Sequence, residues 1–261
     1  MLLLTSAGAS PQAGASASPS SPAVTVQPPE TLDYQIEWRL IPAGTAHLTW
    51  MAVPPTNNTE IRLHLETAGL VSRLFRVSDD YTALLAPSLC SQNTFLSAHE
   101  GSRNRETRVV YDAQARKASS IEKDLGKNTT TTHDVGIPGC IHDVLGGLIV
   151  LRNLRLDPGK TAQIPISDGK KFAQAKVESQ MREELKTPLG TFKTIRYEVF
   201  LFDNVIFRRS GHLHIWLTDD AERLPVQLQV RLQITIGTIT FRLWKPEAAK
   251  PEAAKPEPVK P

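Results

Sequence analysis

Between residues 226 and 236, apolar Val226, Leu228, Val230, Leu232, Ile234 and Ile236 alternate with polar Gln227, Gln229, Arg231, Gln233 and Thr235. A period of two held over eleven residues belongs to a strand with one buried and one wetted face. The same period recurs upstream. Segments 36–41 and 45–51 flank Pro42-Ala43-Gly44, and Ile61, Leu63 and Leu65 oppose Arg62, His64 and Glu66. Segments 105–112 and 116–124 flank Ala113-Gln114-Ala115, and 164–166 meets the run from Lys170 across Ser167-Asp168-Gly169, a strong hairpin signal. Ala173, Ala175, Val177 and Met181 continue on one face until Thr187-Pro188-Leu189-Gly190-Thr191 turns the chain into 192–202. There Ile195, Tyr197, Val199 and Leu201 oppose Arg196, Glu198, Phe200 and Phe202. Gly237-Thr238 fits a two-residue turn pairing Ile234 with Phe241 and Leu232 with Leu243, or a Gly bulge in one long strand.

Two segments break this period. Leu70, Val71, Leu74 and Phe75 have the spacing of one helical turn, and Ile141, Val144, Leu145, Leu148, Ile149 and Leu154 make a longer apolar face. Pro138-Gly139 precedes the second, Asp143 sits in its first turn, Arg152 and Arg155 lie near its end and Pro158-Gly159 stops it, all in agreement with helix polarity. With a main helix near 141–154 and about ten strands, the expected fold is mainly β, a curved antiparallel sheet or open β-barrel packed around that helix.

Composition adds ends to this picture. Of 261 residues, 1–31 are mostly Ala, Ser, Gly and Pro after an opening Met1-Leu2-Leu3-Leu4, and no Lys or Arg precedes Arg39. This leader reads as disordered, the tail end of an export signal, so export is the expectation, to the periplasm or cell envelope if the source is a bacterium. Residues 245–261, KPEAAKPEAAKPEPVKP, read as a disordered, extended segment, either a spacer suited to an envelope protein or cell-wall contact or a solubilising tail. The folded domain is expected over 32–244. No segment supplies the roughly 20 apolar residues of a transmembrane helix. The net charge of +3 comes from 30 basic and 27 acidic residues without long like-charge runs, which argues against a nucleic-acid partner.

Candidate chemistry is sparse. Cys90 and Cys140 are the two cysteines. In an oxidising space they would close a loop of about 50 residues, a gain of roughly 3–4 kcal/mol by chain entropy; two separately buried thiols is the alternative. Cys140, His142 and Asp143, with His133 and Asp134 upstream, hold the parts of nucleophilic or metal chemistry, but side chains at 140, 142 and 143 diverge on a helix. Helix-start packing is the preferred reading. Asp79-Asp80 and Asp219-Asp220 read as turn caps. His212 and His214 have chelating spacing without a third ligand. Ser167-Asp168-Gly169-Lys170-Lys171 lacks the length of a phosphate loop and reads as a hairpin tip, and the charges of 100–108 read as ion pairs on a wet face. No catalytic residue, metal or cofactor is expected. Trp38, Trp50 and Trp216, with Phe200, are the candidate lining of an apolar ligand cavity, or else core packed on the helix.

The segments TPLGTFKTIRYEVFLF, HIWLTDDAERLPVQLQV and TIGTITFRL, with the opening DYQIEWRLIPAGTAHLTW, resemble the bacterial family called domain of unknown function 3108 across most of residues 32–243. The shared motifs are structural: Gly turns and a tryptophan strand followed by Asp-Asp and Leu-Pro. Membership implies an exported, envelope-associated β-protein without assigned chemistry. The acidic turn followed by Leu-Pro is similar, at the level of fold alone, to lipoprotein-localisation carriers that hold acyl chains in an apolar concavity. The Pro-rich tail, SDGKK and IPGCIHDVLGG depart from the family pattern. The leading expectation is therefore a non-enzymatic envelope protein that binds a lipid or acylated ligand. A scaffold for a protein partner and a metal- or cysteine-dependent enzyme are the alternatives.

Overall fold

The computed structural model describes residues 29–233 and 237–245. Its chain runs through β1 (Glu30–Trp38), β2 (Ile41–Val53), β3 (Asn58–Thr67), α1 (Gly69–Leu74), β4 (Val77–Leu85), β5 (Ser91–Glu100), β6 (Arg103–Asp112), β7 (Lys117–Asp124) and β8 (Thr129–Gly136). Helix α2 (Val144–Asn153) follows, then β9 (Thr161–Ser167), β10 (Phe172–Thr187), β11 (Gly190–Val199), β12 (Gly211–Thr218), β13 (Pro225–Leu232) and β14 (Thr238–Trp244). All fourteen strands form one sheet in the order β8-β7-β6-β5-β4-β3-β2-β1-β14-β13-β12-β11-β10-β9. It is thus two antiparallel meanders, β1–β8 and β9–β14, joined by the pairing of β1 with β14. The fold is mainly β and barrel-like, wrapped around one main helix.

Helix α2 links the meanders and is buried on nearly every side, as expected for a helix whose only polar residues lie at its end. Asp143 caps it, its carboxylate accepting from the amides of Leu145 and Gly146. Gly147 lets the helix close on β9, since a Cβ there would stand 2.5 Å from Ile166 Cδ1. At its other end Arg152 reaches Glu30, and Arg223 donates to the carbonyls of Arg152 and Leu154. Leu148, Ile149 and Leu151 join Trp50, Ile61, Tyr197 and Leu217 in the main core.

The sheet's outer strands do not pair with each other; side chains close the curve instead. Tyr111 of β6 donates to the carbonyl of Ser167, Lys170 meets Glu122 of β7, and Gly169 sits under Val109. The segment after β8 passes beneath this seam. Ser91 donates to the Ile141 carbonyl, while His142 and Ile166 form a parallel bridge that occupies the free edge of β9.

Several boundaries differ from the sequence reading. The described residues form fourteen strands where about ten were expected. The first turn falls at Arg39-Leu40, both at positive φ (48° and 71°), and Pro42 lies inside β2 beside a bulge at Ile36/Glu37. The extra residue of the bulge is Ala43, and Pro42, which has no N–H to offer, sits next to it opposite Glu37. Strand β11 ends at Val199, before the expected 202, and α2 starts at Val144, since Ile141 belongs to the bridging segment. Leu228 faces Phe241 and the Leu232 amide donates to the Gly237 carbonyl, so the expected two-residue turn pairing Leu232 with Leu243 is not formed; Ile234 lies outside the described residues. Of the leader and tail expected at 1–31 and 245–261, residues 1–28 and 246–261 also lie outside the described residues, while β1 already begins at Glu30, two residues before the expected start of the domain.

Candidate functional site

Helix α2 leaves the opposite end of the barrel unfilled. There β1, β3, β5 and β13 finish, β2, β4, β6 and β14 begin, and a cavity of about 830 Å³ opens between them. Ile36, Trp38, Leu65, Leu232, Ile239 and Phe241 form its walls, continuing the inward faces of their strands. Val71, Leu74 and Phe75 of the α1 segment cover one side, and Glu100, Ser102, Arg103 and Arg209 bring polar groups to the rim. A second, entirely apolar space of about 70 Å³ lies between α2 and strands β9–β13.

The α1 cover is held at both ends. The Ala68 amide donates to Ala43 of β2, the Val77 amide donates to Thr67 Oγ1, and the Gly101 amide donates to the Arg76 carbonyl. None of its own residues is buried. A one-turn helix between two extended caps, resting on an apolar space, is the least packed regular element at this mouth.

The interior is not uniformly apolar. Cross-strand partners place Asp79, Tyr81, Thr94, Arg105 and Glu122 on the concave face of β4–β7. Arg105 binds Glu100, and Lys170 and Arg105 flank Glu122, whose carboxyl the Lys170 hydrogen bond holds below its ordinary pKa. Burial raises the pKa of Asp79, partly offset by the His99 amide that it accepts. The charges of 100–108 therefore pair at the barrel's inner rim and not wholly on a wet face, and Asp79 and Asp80 lie within β4 and cap no turn. Asp220 does cap one, accepting from the amides of Glu222 and Arg223.

The residues considered for catalysis are committed elsewhere. Cys140 is disulfide-bonded to Cys90. His142 Nδ1 pairs with the Leu89 carbonyl at 2.8 Å, so that nitrogen carries the proton; burial lowers the ring's pKa. Asp143, almost wholly buried, accepts from the Tyr81 hydroxyl at 3.0 Å and the Ser91 hydroxyl at 2.7 Å besides the two cap amides. Burial, then the Asp143 charge, pushes the Tyr81 hydroxyl well above its ordinary range. This constellation locks the helix start. His133 and Asp134 lie on exposed β8, away from it, with Asp134 paired to Lys117. His212 and His214 flank Glu198, at 2.7 and 3.7 Å, yet among the described residues no group of three or more such side chains is disposed to hold a metal ion.

The four aromatic candidates are not brought together. Trp38 lines the cavity, with the Arg39 guanidinium 5.5 Å from its ring. Trp50 is core, beneath Arg152 at 4.8 Å. Trp216 faces away from inward-pointing Ile215 and Leu217, and its Nε1 donates to Glu183. Phe200 stacks with Lys176 on the outer face. Sequence reasoning missed Val71, Leu74, Phe75, Arg103 and Arg209. The one-turn helical spacing of 70–75 was the available signal for the first three.

Fold and cavity together define an open antiparallel β-barrel closed round a central helix at one end and hollow at the other. The family described as "Protein of unknown function (DUF3108)" matches residues 33–243, and the chain belongs to it. Among solved structures it is similar to a β-barrel-like protein of domain of unknown function DUF1849 from Brucella abortus. That likeness has a TM-score of 0.55 at 9% identity, covering 83% of this chain and 96% of that one, and it concerns the fold. No curated protein matches the chain.

Proposed function

We propose that the protein binds an apolar chain, of a lipid or an acylated molecule, in the cavity beneath α1, by burial and without covalent chemistry. The observation that carries this reading is the cavity itself. At about 830 Å³ it falls within the roughly 300–1,000 Å³ span of small-molecule sites, with apolar walls and a few polar groups at the rim. Such a site suits an amphiphile whose tail lies beneath Val71 and Phe75 against the wall made by Ile36 and Phe241, and whose head stays near Arg103 and Arg209. The Cys90–Cys140 bridge favours an oxidising compartment, in keeping with the leader-like start and a place in the bacterial envelope.

Native mass spectrometry of the purified chain, followed by titration with cis-parinaric acid, tests the reading. The wild type is expected to carry a lipid-sized adduct and to bind the probe. Val71→Trp, which fills the cavity from its cover, is expected to lose both. Equal probe binding by wild type and Val71→Trp would overturn the assignment.

A further inference from the structure

The mouth of the cavity carries a second pattern, on its outside. Leu40 is 81% exposed, Leu70 60%, Leu74 70% and Phe75 54%. Single leucines are ordinary on protein surfaces, but these occupy two connections joined by the Ala68–Ala43 hydrogen bond, at the rim of an apolar space. Leu74 and Phe75 both line the cavity and face solvent.

The charge around them is predominantly positive, and Glu100 at the same rim is paired with Arg105. Segments 39–41, 68–76, 101–103 and 200–210 carry Arg39, Arg73, Arg76, Arg103, Arg208 and Arg209 against the single acidic residue Asp203. Arg73, Arg76, Arg103, Arg208 and Arg209 are exposed and form no salt bridge among the described residues. Arg105 and Arg152, by contrast, are committed to carboxylates. Guanidinium groups match phosphate oxygens in pairs, and exposed aliphatic and aromatic side chains among them suit the boundary between headgroups and acyl chains.

We propose that this rim docks on an anionic lipid bilayer, with Leu70, Leu74 and Phe75 entering the interface and Arg73, Arg76, Arg103 and Arg209 holding lipid phosphates. The cavity then faces the membrane, and a chain leaving the bilayer passes over Leu74 and Phe75 into it. Charge complementarity selects the bilayer: the rim offers cations and apolar surface, and of its two carboxylates, Asp203 and Glu100, the second is already paired with Arg105. The proposal goes beyond the cavity's ligand, since docking does not require the cavity to be filled.

Co-sedimentation of the full chain with phosphatidylglycerol vesicles, and with phosphatidylcholine vesicles as the neutral control, tests it. Wild-type protein is expected to bind the anionic vesicles about tenfold or more tightly than the neutral ones, and to release as salt is raised. Leu74→Ser with Phe75→Ser, and separately Arg103→Glu with Arg209→Glu, are each expected to lower binding about tenfold or more. These side chains are exposed, and an unchanged melting temperature shows that each variant folds. Val71→Trp is expected to keep its vesicle binding while losing the fatty-acid probe, which separates the two proposals. No sedimentation of the wild type, equal binding to both vesicles, or full binding by both folded variants would overturn docking at this rim.

Discussion

The Arg152 guanidinium grips both carboxylate oxygens of Glu30, at 2.6 and 3.2 Å, and so fastens the central helix to the first strand. It also donates to the carbonyls of Glu222 and Arg223, and its side chain is only 9% exposed. Replacing Arg152 by Met keeps the length but leaves Glu30 without its charge partner and two carbonyls without donors. A loss of about 3–5 kcal/mol is expected, and Glu30→Gln, which keeps an acceptor, loses less. Urea unfolding of both variants measures it, and additive losses in the double variant would show that the pair is not coupled.

Closure of the barrel rests on a second contact. Gly169 stands at φ +82°, and a Cβ there would lie 2.6 Å from both methyls of Val109. Gly169→Ala therefore meets strain from backbone and neighbour alike, and a loss of about 2 kcal/mol or more is expected. Val109→Ala alone is costly as a core truncation, yet in the Gly169→Ala background it removes the collision. The double variant is thus expected to be more stable than the two single losses added together. Simple additivity in the denaturation midpoints would place the hairpin tip away from Val109.

His142 gives the fold a pH dependence. Burial favours its neutral ring, so its folded pKa lies below the ordinary 6.5 of the unfolded chain. Above that value both states are neutral and the contribution is complete. As pH falls below about 6.5 the unfolded ring takes up a proton that the folded ring resists, and stability drops through the folded pKa. His142→Gln retains an amide donor for the Leu89 carbonyl and cannot titrate. Its unfolding midpoint should change less between pH 7 and pH 5 than that of the wild type; an unchanged difference would place the dependence on other groups.

Elements with local chemistry were legible in the sequence. Asp168 accepts from the amides of Lys170 and Lys171, with Gly169 at positive φ between them, so the turn is written in three adjacent residues. The reversal at Arg39-Leu40 was not, because neither residue favours positive φ and the pairing of β1 with β2 imposes it. Strands β4 and β5 escaped for another reason: Asp79, Tyr81 and Thr94 face inward, so the hydrophobic alternation that announces a strand is blurred. The site was harder still. Tryptophan size suggested a lining, but strand order decides that Trp38 faces the cavity while Trp216 faces outward, and that Arg103 and Arg209 share one rim.

Strands β1 and β14 lie at opposite ends of the folded chain, yet they meet in the middle of the sheet, Ile36 facing Phe241. The seam between the meanders can therefore be sealed only when the last strand has emerged. A nascent chain that has completed β8 still presents β1 as a bare template, open to another copy's edge. Cutting the chain within the link between β8 and β9 and joining residue 245 directly to residue 29 would turn this late seam into a local hairpin, and by contact-order reasoning that permuted chain should form it sooner.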